Sequence, residues 1–122
     1  MAEGSGYKPI IWVASAKREL KEMPEDVQDE VGYALEQVQR GETPDSAEPL
    51  HGSLSGVFEI KADDEDGATY RAMYTTKIGD VVYALDAFKK KSKRGVATPK
   101  TDLNRVEQRL KWAKEHHAEK KG

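Results

Sequence analysis

The sequence predicts an α+β domain built on an antiparallel sheet with helices on one face. Residues 57–88 contain three short apolar segments separated by turn signals, Asp66-Gly67 and Gly79-Asp80, which is typical of a meander of hairpin-connected strands. Residues 24–40 and 98–115 carry apolar residues at helical spacing instead. The length of 122 residues is that of one domain. We therefore expect the element order β-α-α-β-β-β-α.

The N-terminal elements follow from local signals. Pro9 precedes the β-branched and aromatic residues Ile10–Val13, which predicts an edge strand because proline cannot donate to a ladder. Ser15 is a favourable cap for a short helix over 16–22, and Pro24 suits the first turn of a second helix. That second helix ends near Gly41, and its predicted core stripe is Val27, Val31, Ala34, Leu35 and Val38. Residues 42–55 are rich in proline, glycine and serine and predict a loop.

The C-terminal half predicts three strands, at 57–62, 69–77 and 81–88, followed by one helix. Thr98-Pro99 is a helix-start signal, and the helix that follows has the core stripe Leu103, Val106, Leu110 and Ala113. Because all helices are expected on one face, the opposite face of the sheet would be uncovered and would present Lys61, Arg71 and Lys77. A small cationic sheet face of this kind is a candidate binding surface.

Composition bounds the domain organisation and the class of protein. We expect residues 1–6, which include Gly-Ser-Gly, to be a flexible leader of the kind left by an expression tag, residues 7–115 to form a single domain, and residues 116–122 to be a frayed tail. There is no cysteine, which excludes disulfides, thiolate metal sites and a thiol nucleophile. No apolar run is long enough for a membrane span. The expected location is the cytoplasm.

Charge is distributed unevenly along the chain. Residues 1–60 carry 5 Lys/Arg and 12 Asp/Glu, a net charge of −7, whereas residues 61–122 carry 15 and 10, a net charge of +5. Within 89–114 there are ten basic residues and two acidic ones. Such a cluster is an electrostatic footprint for phosphate, and the alternative interpretation is a solvated helix face.

Catalytic and metal-binding motifs are absent from the sequence. The three histidines, His51, His116 and His117, do not have metal-ligand spacing. The acidic segment at 63–66 lacks two essential positions of a calcium loop and is better explained as a polar hairpin tip. We therefore expect no metal and no cofactor. The candidates for chemistry are Lys61, Arg71 and the basic run that begins at Lys89.

Ten short segments of the sequence resemble those of a known protein family. The segments that carry it are spread over nearly the whole chain in a specific order: Lys8–Val13, Pro24–Val27, Gly32–Leu35, Gln39–Gly41, Pro49–Gly52, Phe58–Lys61, Tyr70–Tyr74, Val82–Phe88, Lys90–Gly95 and Thr98-Pro99. In these segments the chain resembles the phage-derived HigB-like branch of the RelE/ParE toxin superfamily. The members of this superfamily are the toxins of type II toxin–antitoxin pairs. The resemblance implies a RelE-like fold.

The resemblance also implies an activity and a site. Many relatives cleave mRNA, often in the ribosome, by metal-free attack of a ribose 2′-hydroxyl on the adjacent phosphate, which requires a base, a cation and an acid. Carried over residue by residue, the implied catalytic residues are Arg71, Lys61, Lys90 and Lys91. The implied RNA-binding residues are Lys89, Ser92, Lys93 and Arg94.

One departure from the family pattern leaves alternatives open. At Asp86 this branch commonly has histidine, and an aspartate cannot act as a cationic acid, although it could orient Arg71 or a lysine.

The function that the resemblance implies is an mRNA-cleaving toxin held by a small helix-turn-helix antitoxin. The alternatives are a ParE-like toxin that binds DNA gyrase without catalysis and a non-cleaving relative that binds an antitoxin.

Overall fold

A computed structural model describes residues 7–90 and 98–121 of the chain. The fold class is α+β, as the sequence predicts. In chain order the elements are β1 (Ile10–Trp12), α1 (Ala16–Lys21), α2 (Glu25–Gln39), β2 (Ala47–Pro49), a 3-10 helix (Gly52–Leu54), β3 (Val57–Asp63), β4 (Thr69–Thr75), β5 (Val82–Lys89) and α3 (Lys100–Lys121). The expected leader at 1–6 and the residues at 91–97 lie outside the described part of the chain.

The five strands form one sheet in the order β1-β5-β4-β3-β2. The expectation of a wholly antiparallel sheet is wrong at one edge, because β1 pairs with β5 in parallel, with Ile10 opposite Val82. The α1–α2 segment crosses the sheet after β1, and the β3–β4–β5 meander then returns β5 beside β1 in the same direction. The tight hairpins do give antiparallel pairs, as predicted.

The segment at 42–55 is not only a loop. Ala47–Pro49 forms the edge strand β2, which pairs antiparallel with Phe58–Ile60 of β3, and Gly52 enters the short 3-10 helix with a φ of +68°. A proline is acceptable in this strand because an edge strand needs only half of its backbone groups for the ladder. Because the segment is rich in proline, glycine and serine, its sequence predicts a loop and does not indicate this short strand.

Helices α1 and α2 cover one face of the sheet. The α2 stripe predicted from the sequence is buried, and it packs with Leu20 of α1 against Ile60, Ala72 and Tyr74 of the sheet. This confirms the helical stripe and the side of the sheet on which the N-terminal helices lie.

Helix α3 covers part of the opposite face, so the expectation that this face is uncovered is wrong. Val106, Leu110 and Ala113 of α3 are buried against an apolar area of the sheet that includes Val57 and Met73. These sheet residues alternate with those of the first face, and burying them removes their apolar surface from water. The cations Lys61 and Arg71 lie at the end of the sheet beside the start of α3, outside the area that these apolar residues of α3 cover.

The C-terminal segment is helical to Lys121, so the expected frayed tail from His116 is wrong over the described residues. His116 stacks on Trp112 with 4.7 Å between ring centroids, and its Nδ1 lies 3.1 Å from the Tyr83 hydroxyl of β5. The next residue, His117, packs against Gly79 in the β4–β5 turn. These contacts tie the last turns of α3 to the sheet.

Candidate functional site

The cationic residues predicted from the sequence meet at one end of the sheet. In the strand register, Lys61 of β3 is directly opposite Arg71 of β4, and Arg71 is directly opposite Phe88 of β5. Directly opposite residues of antiparallel strands have their side chains on the same face. Lys61, Arg71 and Phe88 therefore form a row across the face that α3 partly covers.

Arg71 is buried in an ion pair, in contrast to the exposed strand-face cation that the sequence predicts. Its Nη1 donates a hydrogen bond to Oε1 of Glu59 across 2.7 Å, and the two side chains are only 9% and 8% exposed. The Thr98 hydroxyl donates to the other Glu59 oxygen at 3.2 Å. Among the described residues Arg71 Nε has no partner. Thr98, two residues before α3, thus reaches the carboxylate that pairs with Arg71.

Lys61 stays at the surface beside this pair. It forms an ion pair with Glu48 of β2, and both side chains are substantially exposed. The hydrogen bond from Lys61, followed by its charge, lowers the pKa of Glu48. A surface pair of this kind contributes little to stability because water and salt screen it, so Lys61 can leave Glu48 for another anion at low cost.

The remaining predicted cations extend from the end of β5. Lys89 is exposed and Lys90 is partly exposed, and the Lys90 backbone N–H donates to the Thr69 carbonyl at 2.8 Å. The ladder between β4 and β5 therefore holds the start of the basic run next to Arg71. Lys91, Ser92, Lys93 and Arg94 lie outside the described residues.

Asp86 has a role that sequence reasoning missed. Within residues 7–90 and 98–121 it contacts neither Arg71 nor a lysine, and its buried carboxylate accepts hydrogen bonds from two arginines of α3 instead. Arg105 Nε donates to Oδ2 at 2.7 Å, and Arg109 Nη1 donates to Oδ1 at 3.1 Å. The spacing of four between Arg105 and Arg109 places both on one helix face, which is the sequence signal that could have identified them.

Arg109 connects Asp86 to α1. It donates to both oxygens of Glu19 at 3.0 and 3.1 Å, to the Ser15 hydroxyl at 3.1 Å and to the Leu85 carbonyl at 3.0 Å. Ser15 gives its hydroxyl hydrogen to Glu19 at 2.7 Å and makes no side-chain cap bond to the α1 backbone. One arginine thus ties β5, α1 and α3 together.

The two carboxyl groups that share Arg109 have opposite pKa shifts. Burial raises the pKa of Asp86 to about 6, although the hydrogen bond from Arg105 and the charge of Arg109 favour its ionised form. Burial also opposes ionisation of Glu19, but hydrogen bonds from Arg109 and Ser15 outweigh it and lower the pKa of Glu19 to about 2. Pairs of titratable groups whose environments separate their pKa values are typical of functional sites.

A cleft of about 440 Å³ opens beside this network. It lies where β5 runs beyond the end of β1, between α1 and the first turns of α3, and it is lined by Glu19, Ala87, Phe88, Lys89, Pro99, Thr101, Asp102 and Arg105. The Arg105 guanidinium lies over the Phe88 ring, 5.6 Å from its centroid. Lys61 and Arg71 form a cationic row across the two strands β3 and β4. Since Phe88 is opposite Arg71 in the register, the cleft lies next to this cationic row.

The described residues hold no group of three or more His, Cys, Asp or Glu side chains that could bind a metal ion. Of the helices in the described ranges, none is both long enough and apolar enough to cross a membrane.

Comparison with known proteins places this site within a recognised family region. The family model described as "Phage derived protein Gp49-like (DUF891)" matches residues 18–111, a stretch that contains Lys61, Arg71, Asp86 and Arg105. A similar solved structure is the toxin–antitoxin complex RelBE2 from Mycobacterium tuberculosis, with a TM-score of 0.49, 21% identity, and coverage of 68% of this chain and 98% of that one. No curated protein sequence matches the chain.

Proposed function

This chain belongs to the phage-derived Gp49-like family, and from that premise we propose that it is the toxin of a type II toxin–antitoxin pair that cleaves RNA. The family match supports the phage-derived toxin resemblance that the sequence motifs carry, and the HigB-like branch is part of the proposal. The proposed substrate is mRNA, free or on the ribosome, and the proposed partner is a helix-turn-helix antitoxin.

The observation that carries the proposal is the cationic row at the end of the sheet. Lys61 and Arg71 are opposite each other in the register. At the same end, Lys89 is opposite Tyr70 on the other face of the sheet, and Lys90 follows it with its backbone bonded to Thr69. Strand positions are more rigid than loops, so this end of the sheet holds cationic groups in fixed positions. Lys61 and Arg71 are paired with Glu48 and Glu59, and in the proposal a phosphate takes the place of these carboxylates.

The proposed reaction uses the RNA as its own nucleophile. A ribose 2′-oxygen attacks the adjacent phosphorus and loses its proton to a base, while the bond from phosphorus to the 5′-oxygen breaks and that oxygen gains a proton. The products are a 2′,3′-cyclic phosphate and a 5′-hydroxyl. Lys61, Arg71 and Lys90, with Lys91, are the proposed residues that stabilise the charge and move the protons.

The burial of Arg71 favours a second candidate function, that of a non-cleaving protein that binds an antitoxin. The Arg71 charge is already compensated by Glu59 at 2.7 Å, so contact with a phosphate requires that this pair open. Removing a buried partner costs about 3–5 kcal/mol, which is a substantial barrier unless the RNA phosphate replaces Glu59.

One experiment separates the candidates. The purified protein is incubated with a labelled mRNA, with and without ribosomes, and the RNA ends are mapped on a gel; gyrase supercoiling is assayed in parallel. Cleavage that leaves cyclic phosphate ends supports the RNA-cleaving toxin. Intact RNA under both conditions would overturn it, and loss of supercoiling would then favour the gyrase-binding alternative.

A further inference from the structure

The cleft between β5 and α3 has the features of a nucleotide subsite. We propose that Arg105 and Phe88 bind one nucleotide of single-stranded RNA beside the cationic row, with the phosphodiester on the Arg105 guanidinium and the base on the Phe88 ring. This inference rests on the proposed RNA substrate and assigns a specific binding role to Arg105 of α3, which the sequence analysis includes only as one of the ten basic residues in 89–114.

Arg105 is held in place with one donor group unused. Its Nε donates to Asp86 at 2.7 Å and its Nη2 donates to Asp102 at 2.8 Å. Within the described ranges, Nη1 makes no hydrogen bond, and the side chain is 36% exposed. A guanidinium fixed by two carboxylates loses little further conformational entropy when it binds an anion, and its planar fork matches phosphate geometry.

The charges around Arg105 balance within the cleft, and Lys90, the residue after the cleft-lining Lys89, adds one positive charge next to it. Three carboxylates face it or lie directly behind it, namely Glu19, Asp86 and Asp102, and the cations that accompany them are Arg105, Arg109, Lys89 and Lys90. Arg109 is engaged by Glu19, by Asp86 and by a backbone carbonyl. Arg105 and Lys89 are therefore the cleft-lining cations that can meet a phosphate.

Phe88 supplies the apolar surface of the proposed nucleotide subsite. Its ring is partly exposed in the cleft and lies 5.6 Å from the Arg105 guanidinium carbon. Aromatic rings and arginine planes are the usual surfaces on which single-stranded bases stack, and stacking is tolerant of base identity. Because the guanidinium lies over one face of the Phe88 ring, a base would stack on the exposed part of this arginine–aromatic pair, with its phosphate within reach of the same cation.

The size and position of the cleft agree with this ligand. Its volume of about 440 Å³ falls within the range of small-molecule sites, about 300–1,000 Å³. Phe88 is the register neighbour of Arg71, so a nucleotide on Phe88 would lie next to the phosphate that the proposed reaction places at the cationic row.

The test measures RNA binding without cleavage. The probe is a fluorescent single-stranded oligonucleotide with 2′-O-methyl groups, which block the nucleophile, and its affinity is measured by anisotropy for the parent and for Arg105→Gln, Arg105→Lys and Phe88→Leu. The matched control is Arg40→Gln. Arg40 lies at the end of α2, where Lys8 N–H bonds to the Gln39 carbonyl, and this is the opposite end of the sheet from Phe88.

We expect Arg105→Gln to weaken binding roughly 10-fold or more, as for loss of a charged hydrogen bond, with little change in Arg40→Gln. Arg105→Lys keeps a positive charge between Asp86 and Asp102 and should fold like the parent, yet bind several-fold more weakly because it lacks the fork. Phe88→Leu should weaken binding of the oligonucleotide but not of an abasic ribose-phosphate strand of the same length.

Each outcome decides a different point. If the parent does not bind the oligonucleotide, this inference fails, whereas the proposed function is decided separately by the cleavage assay with and without ribosomes. If the parent binds but Arg105→Gln and Arg105→Lys lose no more affinity than Arg40→Gln, the subsite is wrong while the proposed function stands. An equal loss of both strands in Phe88→Leu would overturn the stacking role.

Discussion

Arg71 and Glu59 form an ion pair across 2.7 Å at the end of the sheet, and both side chains are about nine-tenths buried. The two residues come from adjacent strands, and Thr98 adds a hydrogen bond to the carboxylate from the segment that leads into α3. The pair therefore couples the cationic row to the position of α3. Any change at Arg71 therefore acts on the stability of this junction as well as on the proposed contact with RNA.

We predict that Arg71→Ala destabilises the fold by about 3 kcal/mol, because it leaves the Glu59 charge buried without its partner. The value is measured by urea denaturation. The double variant Arg71→Met/Glu59→Leu should be less destabilised than Arg71→Ala, since replacing both members of a buried pair with apolar residues is often nearly neutral. A single variant as stable as the parent would show that the pair is open in solution.

Toxicity is better tested with Arg71→Lys. Lysine keeps a charge for Glu59 but lacks the planar fork that binds phosphate, so we expect a folded protein that no longer arrests growth. The loss of one preorganised donor corresponds to roughly a 10²–10³-fold fall in rate. Growth is compared at equal soluble expression, and arrest as strong as the parent's would remove Arg71 from the centre of the site.

The helices and the meander were predictable from the sequence because their signals are local. The α2 stripe from Val27 to Val38 and the Gly67 turn depend on periodicity and on one backbone conformation, respectively. The parallel partner of β1 and the coverage by α3 depend on contacts between residues far apart in the chain. Nothing local at Ile10 or at Val106 specifies which strand or which face it will contact.

The site was predictable in part for the same reason. The alignment of Lys61 with Arg71 follows from the length of the hairpin, which the sequence shows. The partners of Arg71 and Asp86 do not follow, because Glu59 and Arg105 pair with them across strands or from a separate helix. A charged residue in a strand looks exposed in a sequence until the element that covers it is known.

The shared arginine between Asp86 and Glu19 makes stability depend on pH in two windows. The pKa of Asp86 rises from its ordinary value of 3.8 to about 6 on folding, so the folded protein holds more protons than the unfolded chain between these values, and stability falls as the pH rises through them. The pKa of Glu19 falls from 4.5 to about 2, so its contribution is full above 4.5 and is lost as the pH falls towards 2.

We therefore predict that thermal stability decreases from about pH 4.5 to pH 6.5 and that Asp86→Asn removes this slope. The measurement is the melting temperature across that range for both proteins. A slope retained in the variant would assign the pH dependence to other groups.

RNA cleavage should persist in EDTA. The proposed reaction draws its positive charge from Lys61, Arg71 and Lys90, and the described residues contain no cluster of metal ligands. The assay uses purified protein and RNA without ribosomes, because ribosomes themselves depend on magnesium. Cleavage abolished by EDTA and restored by a divalent ion would contradict the proposed mechanism.

The last prediction concerns Asp86→His, which places the residue common in the resembling family at this position. In this chain the carboxylate accepts from Arg105 at 2.7 Å and from Arg109 at 3.1 Å, and an imidazole cannot replace it as a double acceptor. We expect Asp86→His to lose about 3 kcal/mol, as when one member of a buried charge cluster is removed, and to cleave RNA no faster than the parent per folded molecule. Urea denaturation gives the first quantity, and cleavage normalised to the folded fraction gives the second. Faster cleavage in the variant would mean that the histidine acts directly on the RNA and that the Asp86–Arg105 pair is not needed to hold the substrate.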